Sequence, residues 1–432
     1  MTDLTQISAV DAASRIADGK ISAVELTSAY LERIALCNPS VRAFRHIDPE
    51  FSLAQARLAD ESPAKSRLHG VPFAIKDVID TADFPTEYGT PIYAGHRPKT
   101  DAACVRKMRA AGCVPLGKLV TTEYAMFTPN ETRHPLDPER TAGGSSSGTG
   151  AAIGARMVPI AFGNQTAGSL IRPAAYCGTY GLKPTHGTAD STGILPLQPY
   201  FDTLGYVANH IEDIQAFYEI VAGVAPQDWA REKTPKIGVC ETFQWPFAEP
   251  ESRLTLEKTA AQLADAGCLV EEFALPDHYE GLVDVHRRVL YTGIAISLAN
   301  DFAKRSHLMS ARLHEIINEG KATSNEQYTA AFQFAERCRE HVNEECFKDF
   351  DAIICPSTPG IAPLGYETGS PIFQVTWTLL GVPCLNLPVA TGPHGMPVGV
   401  QLIGKRYQDA ALLALGAHLM QNFTRLQLGE AA

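Results

Sequence analysis

The sequence lacks the features that would place it in a membrane, on nucleic acid or outside the cell. Its 432 residues contain no run of about 18 apolar residues, so we expect no membrane span. The first letters, MTDLTQ, lack the basic and then apolar segments of a secretory signal, which favours a cytoplasmic location. No Lys/Arg run occurs and the formal net charge is −11, which argues against a nucleic-acid partner.

Cysteine and histidine give no metal-binding pattern. The ten cysteines form no CxxC pair, and several stand in apolar runs, as Cys355 does, so we expect reduced, buried thiols. His314 and Glu315 begin like the zinc motif HExxH, but Asn318 stands at the second ligand position, which excludes that motif. The other histidines are expected in polar surface loops.

Composition and periodicity predict the fold class. Hydrophobic residues make up 45% and charged residues 20% of the chain, as in ordinary globular proteins. Helical and strand patterns alternate, which predicts an α/β fold: a large mixed, mostly parallel β-sheet sandwiched by helices. We expect a single domain over 1–432, made of N-terminal helices (1–60), a core (65–205), a helix-rich insertion or cap that shapes the substrate site (206–350), and C-terminal core strands with a helix (351–432).

Capping residues predict where the first helices begin and end. Ser8 and Ser22 are typical N-caps, and Ser22 with Glu25 has the spacing of a full capping box. Pro39 is expected to end the second helix. Thr100 is expected to cap a further helix.

The run AGGSSSGTG at residues 142–150 matches no nucleotide-binding motif. A P-loop needs Lys where Thr149 stands. The dinucleotide motif GxGxxG fails because the glycine spacing is one residue too long and no strand precedes it. A literal GxSxG at 144–148 also lacks the strand that a nucleophile elbow requires. The flanking apolar residues indicate tightly packed interior backbone, since a flexible linker would be more polar.

Two further stretches carry chemistry. The run GNQTAGSLIRP at 163–173 places Ser169 after small residues, which let successive backbone N–H groups converge on one point and stabilise an oxyanion. Lys76 ends the apolar strand pattern GVPFAIKD. A buried lysine tends to lose its charge and is then a general base, as in serine–lysine hydrolases. The alternative is that Lys76 snorkels to solvent or pairs with Asp77 or Asp80.

Together, in this order, the three stretches resemble the amidase signature family. The resemblance continues through 176–185, 201–205 and 395–404 and covers nearly the whole chain. It implies a hydrolase that cleaves a C–N bond of a small amide or carbamate through an acyl-enzyme, with no metal or cofactor. By position it implies these roles: Ser169 as nucleophile, Ser145 as bridging serine after a cis peptide bond, Lys76 as base, Ser146 as support for the lysine, and the backbone N–H groups of Thr166, Ala167, Gly168 and Ser169 as oxyanion hole.

The sequence also departs from the common family form. That form reads DTGGS up to the nucleophile, whereas residues 165–169 read QTAGS. Arg172 stands three residues after the serine instead of two, a spacing found in some members that act on small amides. Arg172 either binds a substrate carboxylate or pairs with an internal acid. Met126 and Phe127 either line the acyl pocket, as in relatives, or belong to the core.

Three functions fit these motifs. The first is a stand-alone amidase or carbamate hydrolase acting on a small molecule, with candidates among short aliphatic amides, half-amides of dicarboxylic acids, aryl amides and carbamates. The second is the catalytic component of a glutamyl- or aspartyl-tRNA amidotransferase complex, which the variant nucleophile loop disfavours. The third, a scaffold without activity, is disfavoured because the three relay residues are intact. Relatives are often homodimers, so a homodimer is one expected assembly.

Overall fold

The computed structural model describes residues 3–230, 232–421 and 423–427. Residues 1–2 and 428–432 of the expected domain lie outside the described residues. Among the described helices, none is long and apolar enough to cross a membrane. The expected buried thiols are confirmed for nine of the ten free cysteines, and Cys37 is half-buried.

The first two helices begin where capping predicts. The Ser8 side chain accepts a hydrogen bond from the backbone of Asp11, and Ser22 forms a full capping box with Glu25. The expected end at Pro39 is wrong by two residues. The helix continues because the N–H of Arg42 still donates to the Asn38 carbonyl at 2.8 Å.

The helix expected after Thr100 is capped differently. Its N-cap is Ala102, and no side chain caps it. The N–H groups of Ala102 and Ala103 instead donate to the carbonyls of Asp80 and Thr192, at 2.9 and 3.0 Å. Carbonyl groups of neighbouring loops therefore accept from the first N–H groups of this helix, in place of the Thr100 hydroxyl that was expected to cap it.

The described residues form helices and strands with the following bounds. The helices are α1 Ala9–Ala17, α2 Ala23–Val41, α3 Pro49–Asp60, α4 Ala103–Ala110, α5 Ser147–Gly154, α6 Ile171–Tyr176, α7 Ile211–Ala222, α8 Pro250–Asp265, α9 Leu282–Ser297, α10 Ala299–Arg305, α11 Ala311–Ala322, α12 Asn325–Phe347, α13 Ile372–Leu379 and α14 Asp409–Met420. The strands are β1 Phe44–Ile47, β2 Pro72–Lys76, β3 Val114–Leu119, β4 Ile160–Gln165, β5 Tyr180–Lys183, β6 Thr203–Ala208, β7 Lys236–Val239, β8 Leu269–Glu272, β9 Ala352–Pro356, β10 Cys384–Thr391, β11 Pro397–Ile403 and β12 Leu426–Gln427.

All these strands belong to one mixed sheet, as expected. The strand order is β1-β3-β2-β4-β6-β5-β10-β11-β9-β7-β8, and β12 pairs with β10. Strands β3, β2 and β4 are parallel on one flank, and β9, β7 and β8 are parallel on the other. The centre, from β4 through β6, β5, β10 and β11 to β9, is antiparallel. The expected predominance of parallel pairing therefore holds on the flanks only.

The parallel flank sets the position of the candidate site. Strands β2 and β4 are neighbours, with Ile75 opposite Phe162, and both are buried along their whole length. Because the carboxyl ends of parallel strands meet at one edge of a sheet, Lys76 at the end of β2 lies beside the residues that end β4.

The glycine- and serine-rich run lies in the interior, as expected, and its second half begins helix α5. Residues 147–153 of α5 are all buried. Gly148 lies so close to neighbouring backbone that a Cβ there would stand 2.4 Å from the Ala43 carbonyl oxygen and 2.5 Å from the Val120 nitrogen. A side chain at this position would push α5 away from the strands that it covers.

The segment 206–350 is not purely helical. It contributes α7 to α12, but also β7 and β8 at one end of the sheet. Helix α9 packs against α11, α12 and α13, and α13 immediately precedes β10. This packing brings residues of the segment to the candidate site.

Candidate active site

Lys76 lies in a polar cluster inside the protein. Its side chain is fully buried. Nζ lies 2.7 Å from Ser145 Oγ, 2.9 Å from Ser146 Oγ and 2.6 Å from Asn164 Oδ1. The structure therefore brings Lys76, Ser145 and Ser146 together, as the resemblance implies, and it adds Asn164 at the end of β4.

Among the described residues, no carboxylate forms an ion pair with Lys76. Of the two acids that were expected as alternative partners, Asp77 pairs with Lys118 at 3.3 Å and Asp80 accepts from the Tyr88 hydroxyl at 2.9 Å. Burial lowers the pKa of Lys76 well below its usual value; the Asp202 carboxylate opposes this shift, and the Arg172 guanidinium adds to it. A buried amine with neutral neighbours favours the uncharged form.

Ser145 is held by its backbone. The Gly144–Ser145 peptide bond is cis. The Ser145 carbonyl accepts from the Thr121 hydroxyl at 3.1 Å and from the Thr122 N–H at 3.4 Å. These bonds hold the backbone at Ser145, whose hydroxyl lies 2.7 Å from the Lys76 amine.

Ser169 lies next to this cluster and opens onto a cavity. Its carbonyl accepts from the Ser146 N–H at 3.1 Å, which ties the two serine loops together. Its side chain is 8% exposed. Among the described residues its hydroxyl makes no hydrogen bond, so the link between Ser169 and Ser145 is not formed in this structure. Hydrogen bonds of this kind often tighten only when substrate is bound.

The backbone of residues 166–169 is held by hydrogen bonds to its carbonyl groups. Each of the four carbonyl groups accepts a hydrogen bond, at 2.6–3.1 Å. The donors, in chain order, are His286 Nε2, Thr378 Oγ1, Arg172 N and Ser146 N. Within the described part of the chain, none of the four N–H groups donates to a protein acceptor. These four N–H groups are therefore free to donate to a ligand, which an oxyanion hole requires.

Asp202 and Thr166 brace this loop. The Thr166 hydroxyl donates to Asp202 Oδ1 at 2.7 Å, and the other Asp202 oxygen accepts from the backbone of Leu197 and Gln198 at 2.8 and 2.9 Å. Burial raises the pKa of Asp202 to about 6, against the effect of these bonds. The side chain of Thr166 is thereby fixed to the segment that precedes β6.

The structure explains separately why residue 167 is alanine and why residue 168 is glycine. Ala167 does not have a positive φ. Alanine can therefore replace the usual glycine at this position without backbone strain. A Cβ at 168 would lie 2.5 Å from Gln374 Oε1 on α13. Glycine is therefore required at 168, and alanine is tolerated at 167.

Arg172 is a buried cation, and it borders the cavity that Ser169 lines. It is 2% exposed, and Nη2 donates to the Gly144 carbonyl at 2.5 Å. Its Nε and Nη1 atoms are buried without a hydrogen-bond partner, and in the described residues no acid pairs with it. Burial lowers the pKa of Arg172 to about 10. The internal acid that was one of its two expected partners is therefore not found.

Met126 and Phe127 border a cavity next to Ser169. Both line the cavity that Ser169 and Arg172 share; its other residues are Ala125, Thr166, Ala167, Leu290 and Pro371. Tyr124 precedes them in a left-handed conformation, with φ of 47°, and its hydroxyl donates to Asp301 at 2.8 Å. Asp301 on α10 therefore holds a strained turn against the cavity.

Three residues of this site escaped the sequence analysis. Asn164 and Asp202 stand inside stretches that carry the family resemblance, but no local pattern indicates their contacts. His286 was expected in a surface loop, and that expectation is wrong, because it lies on α9 and is 3% exposed. His69 and His134 are buried as well. Among the described residues, no cluster of His, Cys, Asp and Glu offers a metal site.

Comparisons with known proteins identify the family of this chain. The Amidase family profile matches residues 25–413. One of the subunits of glutamyl-tRNA(Gln) amidotransferase from Chloroflexus aurantiacus is 32% identical, over 96% of this chain and 96% of its own. A crystal structure of an amidase superposes with a TM-score of 0.89 at 27% identity, over 97% of this chain and 100% of its own. The native peptide amidase from Stenotrophomonas maltophilia superposes with a TM-score of 0.82 at 25% identity, over 97% of each chain. The chain therefore belongs to the amidase signature family, whose hydrolases act on C–N amide bonds.

Proposed function

We propose that this chain hydrolyses a small amide that carries a carboxylate, with Ser169 as nucleophile and Ser145 and Lys76 as its proton relay. The observation that carries the proposal is the buried Lys76 amine, within 2.9 Å of three neutral oxygen atoms. A neutral amine is the base that a serine hydroxyl needs, and the cluster supplies no charge that would keep the amine protonated.

The hydrogen-bond network supports one direction for the relay. The Ser146 hydroxyl donates to the Asn164 carbonyl at 3.2 Å, so it accepts from Lys76. Asn164 Oδ1 also accepts from Lys76. A neutral amine has two N–H groups, and these two acceptors use both. Its lone pair then faces Ser145 and accepts the proton of that hydroxyl.

The chemical steps follow from this arrangement. Ser145 gives its proton to Lys76 and takes the proton of Ser169, whose oxygen attacks the amide carbon. The oxyanion is stabilised by the free N–H groups of residues 166–169. The relay then returns a proton to the leaving nitrogen, and the C–N bond breaks. Water, deprotonated by the same relay, hydrolyses the acyl-enzyme and releases the acid.

The surroundings of Arg172 are the reason for proposing a substrate that carries a carboxylate. Arg172 borders the cavity that holds Ser169, and its buried Nε and Nη1 atoms lack hydrogen-bond partners among the described residues. A buried guanidinium with unused donors is costly, and a substrate carboxylate would accept from these donors. Met126 and Phe127 close the cavity and favour a short acyl chain. Half-amides of short dicarboxylic acids combine these features, and neutral carbamates lack the charge.

A second function is favoured by one observation, the 32% identity to a component of a glutamyl-tRNA(Gln) amidotransferase over 96% of both chains. In that case the relay would release ammonia from an amino-acid amide only within a complex, and Arg172 would bind the carboxylate of the amino acid. The same chemistry serves both functions, so partner dependence distinguishes them.

The test measures ammonia release by the purified chain from a neutral aliphatic amide, malonamic acid, glutamine, an aryl amide and ethyl carbamate. We expect the half-amide to be the best substrate and Ser169→Ala to reduce kcat by at least about 10³-fold. Ser147→Ala is the matched control, because the Ser147 hydroxyl bonds Val120 and lies outside the relay. An active Ser169→Ala variant contradicts the proposal. A wild-type chain that is silent on every amide alone, and active with partner proteins, favours the second function.

Arg172→Met tests the carboxylate. We expect kcat/KM for malonamic acid to fall about 100-fold, since a charge-assisted hydrogen bond to a buried cation contributes about 1.5–3 kcal/mol. The neutral amide is the internal control, because any distortion of Gly144 by the variant acts on both substrates. Equal losses on both substrates would assign Arg172 a structural role.

A further inference from the structure

We propose that His286 is a positioning residue for amide hydrolysis: its Nε2–H, donated to the Thr166 carbonyl, aims and polarises the Ala167 N–H toward the oxyanion. This inference rests on the function proposed above. It concerns a histidine of the helix-rich segment, far in sequence from the serines and the lysine.

The contacts of His286 determine which ring nitrogen carries the hydrogen. Nε2 lies 2.9 Å from the Thr166 carbonyl oxygen. A carbonyl only accepts, so Nε2 carries the hydrogen. The ring stacks on Phe201, with centroids 4.4 Å apart and an interplanar angle of 21°, which fixes its plane. Burial lowers the pKa of His286 to about 4, so the imidazole is neutral near pH 7.

The hydrogen bond from His286 to the Thr166 carbonyl affects the Ala167 N–H at the other side of the same peptide unit. The Thr166 carbonyl and the Ala167 N–H belong to one planar peptide and point in opposite directions. A donor at the carbonyl increases the polarity of the peptide and strengthens its N–H as a donor. Thr378 Oγ1 does the same one residue later, where it donates to the Ala167 carbonyl at 2.6 Å.

Asp202 does not replace this contact. It holds the side chain of Thr166, whereas the peptide between Thr166 and Ala167 can still rotate about the flanking bonds. A donor at the Thr166 carbonyl restrains that rotation. His286 makes no hydrogen bond to Ser145, Ser169 or Lys76 in the described residues, so it acts through the backbone and not as an acid or base.

The experiment compares His286→Phe with His286→Gln. Phenylalanine keeps the ring that stacks on Phe201 but has no N–H, whereas the glutamine amide nitrogen reaches about as far as Nε2. For the phenylalanine variant we expect kcat to fall about tenfold with KM within twofold of wild type, and the inhibition constant of a substrate aldehyde, which forms a tetrahedral adduct, to rise by a similar factor. His286→Gln should recover most of both.

His314→Leu is the matched control. The His314 imidazole also binds a backbone carbonyl, that of Ser306 at 2.8 Å, in the same helix-rich segment, but it does not contact residues 166–169. If His286→Phe does not fold, His286→Met takes its place, and Tm is measured for every variant.

Three outcomes overturn the inference: kcat of the variant within twofold of wild type, equal losses in the phenylalanine and glutamine variants, or unchanged inhibition by the aldehyde. These outcomes presuppose an active wild-type chain whose turnover depends on Ser169. Absence of that activity is a failure of the proposed function instead, and the Ser169→Ala comparison detects it separately.

Discussion

Two lysines on neighbouring strands illustrate how their surroundings separate chemistry from structure. Lys76 on β2 and Lys118 on β3 are both fully buried. Lys118 lies opposite Ile75, one position before Lys76, so the two side chains project to opposite faces of the sheet. They share residue type, strand context and burial, but they differ in the face that they occupy and in their partners.

Those partners determine the charge. Lys118 has the Asp77 carboxylate at 3.3 Å, together with the Ile79 carbonyl at 2.7 Å and the Thr86 hydroxyl. Burial lowers the pKa of Lys118, and the Asp77 carboxylate opposes that shift. Lys76 has hydroxyl and amide oxygens alone. We infer that Lys118 is the positive half of an ion pair that holds the sheet, and that Lys76 is a neutral base.

The largest effect expected from this comparison is on turnover. Lys76→Met removes the base but keeps an unbranched side chain of similar length, so we expect kcat to fall by at least about 10⁴-fold. Stability should be unchanged or higher, because a buried amine is replaced by an apolar group. Ammonia release and thermal unfolding of the same preparation check both parts. A variant that unfolds while keeping its turnover per folded molecule would reverse the roles of the two lysines.

Lys118→Met should show the opposite pattern. It leaves Asp77 buried without its partner, and breaking a buried ion pair in this way costs about 3–5 kcal/mol. We expect denaturant unfolding at lower concentration, with kcat of the folded fraction within a few-fold of wild type. Adding Asp77→Asn to the variant should recover part of the stability in a double-mutant cycle. If the double variant is no more stable than Lys118→Met, the pair is not what holds this region.

Much of the fold could be predicted because its signals are local. Capping serines mark the first two helices, and the apolar run ending in Lys76 marks β2. Strand partners are not local, since β4 pairs with β6 and β5 with β10 across intervening helices. The antiparallel centre therefore could not be read from residue patterns, although the mixed sheet could.

The candidate site divides in the same way. Ser145, Ser169 and Lys76 stand in recognisable stretches, whereas Asn164 is 88 residues from Lys76, and His286 is 120 residues from Thr166. A single histidine in an amphipathic helix gives the same local pattern whether it faces the core or water. Only the tertiary contacts of α9 place His286 against residues 166–169, which is why the sequence alone indicated a surface position.

The smallest of these effects is the sharpest test, because it gives Lys76 the surroundings of Lys118. Asn164→Asp keeps the shape of the side chain and places a carboxylate where Oδ1 lies 2.6 Å from the lysine. An opposite charge at this distance raises the pKa of a lysine, typically by about 1–3 units. Because the base acts only when neutral, kcat/KM at pH 7 should fall about 10- to 100-fold and recover as the pH rises.

Asn164→Leu is its neutral control, and the pH profile of kcat/KM separates the two. In the wild type, kcat/KM should rise about tenfold per pH unit below the lowered pKa of Lys76 and then level off. The leucine variant removes an acceptor without adding charge, so its activity should be lower at every pH while the inflection stays below that of the aspartate variant. An inflection that stays in place after Asn164→Asp would mean that Lys76 is not the titrating base. The neutrality that distinguishes it from Lys118 would then have no role in turnover.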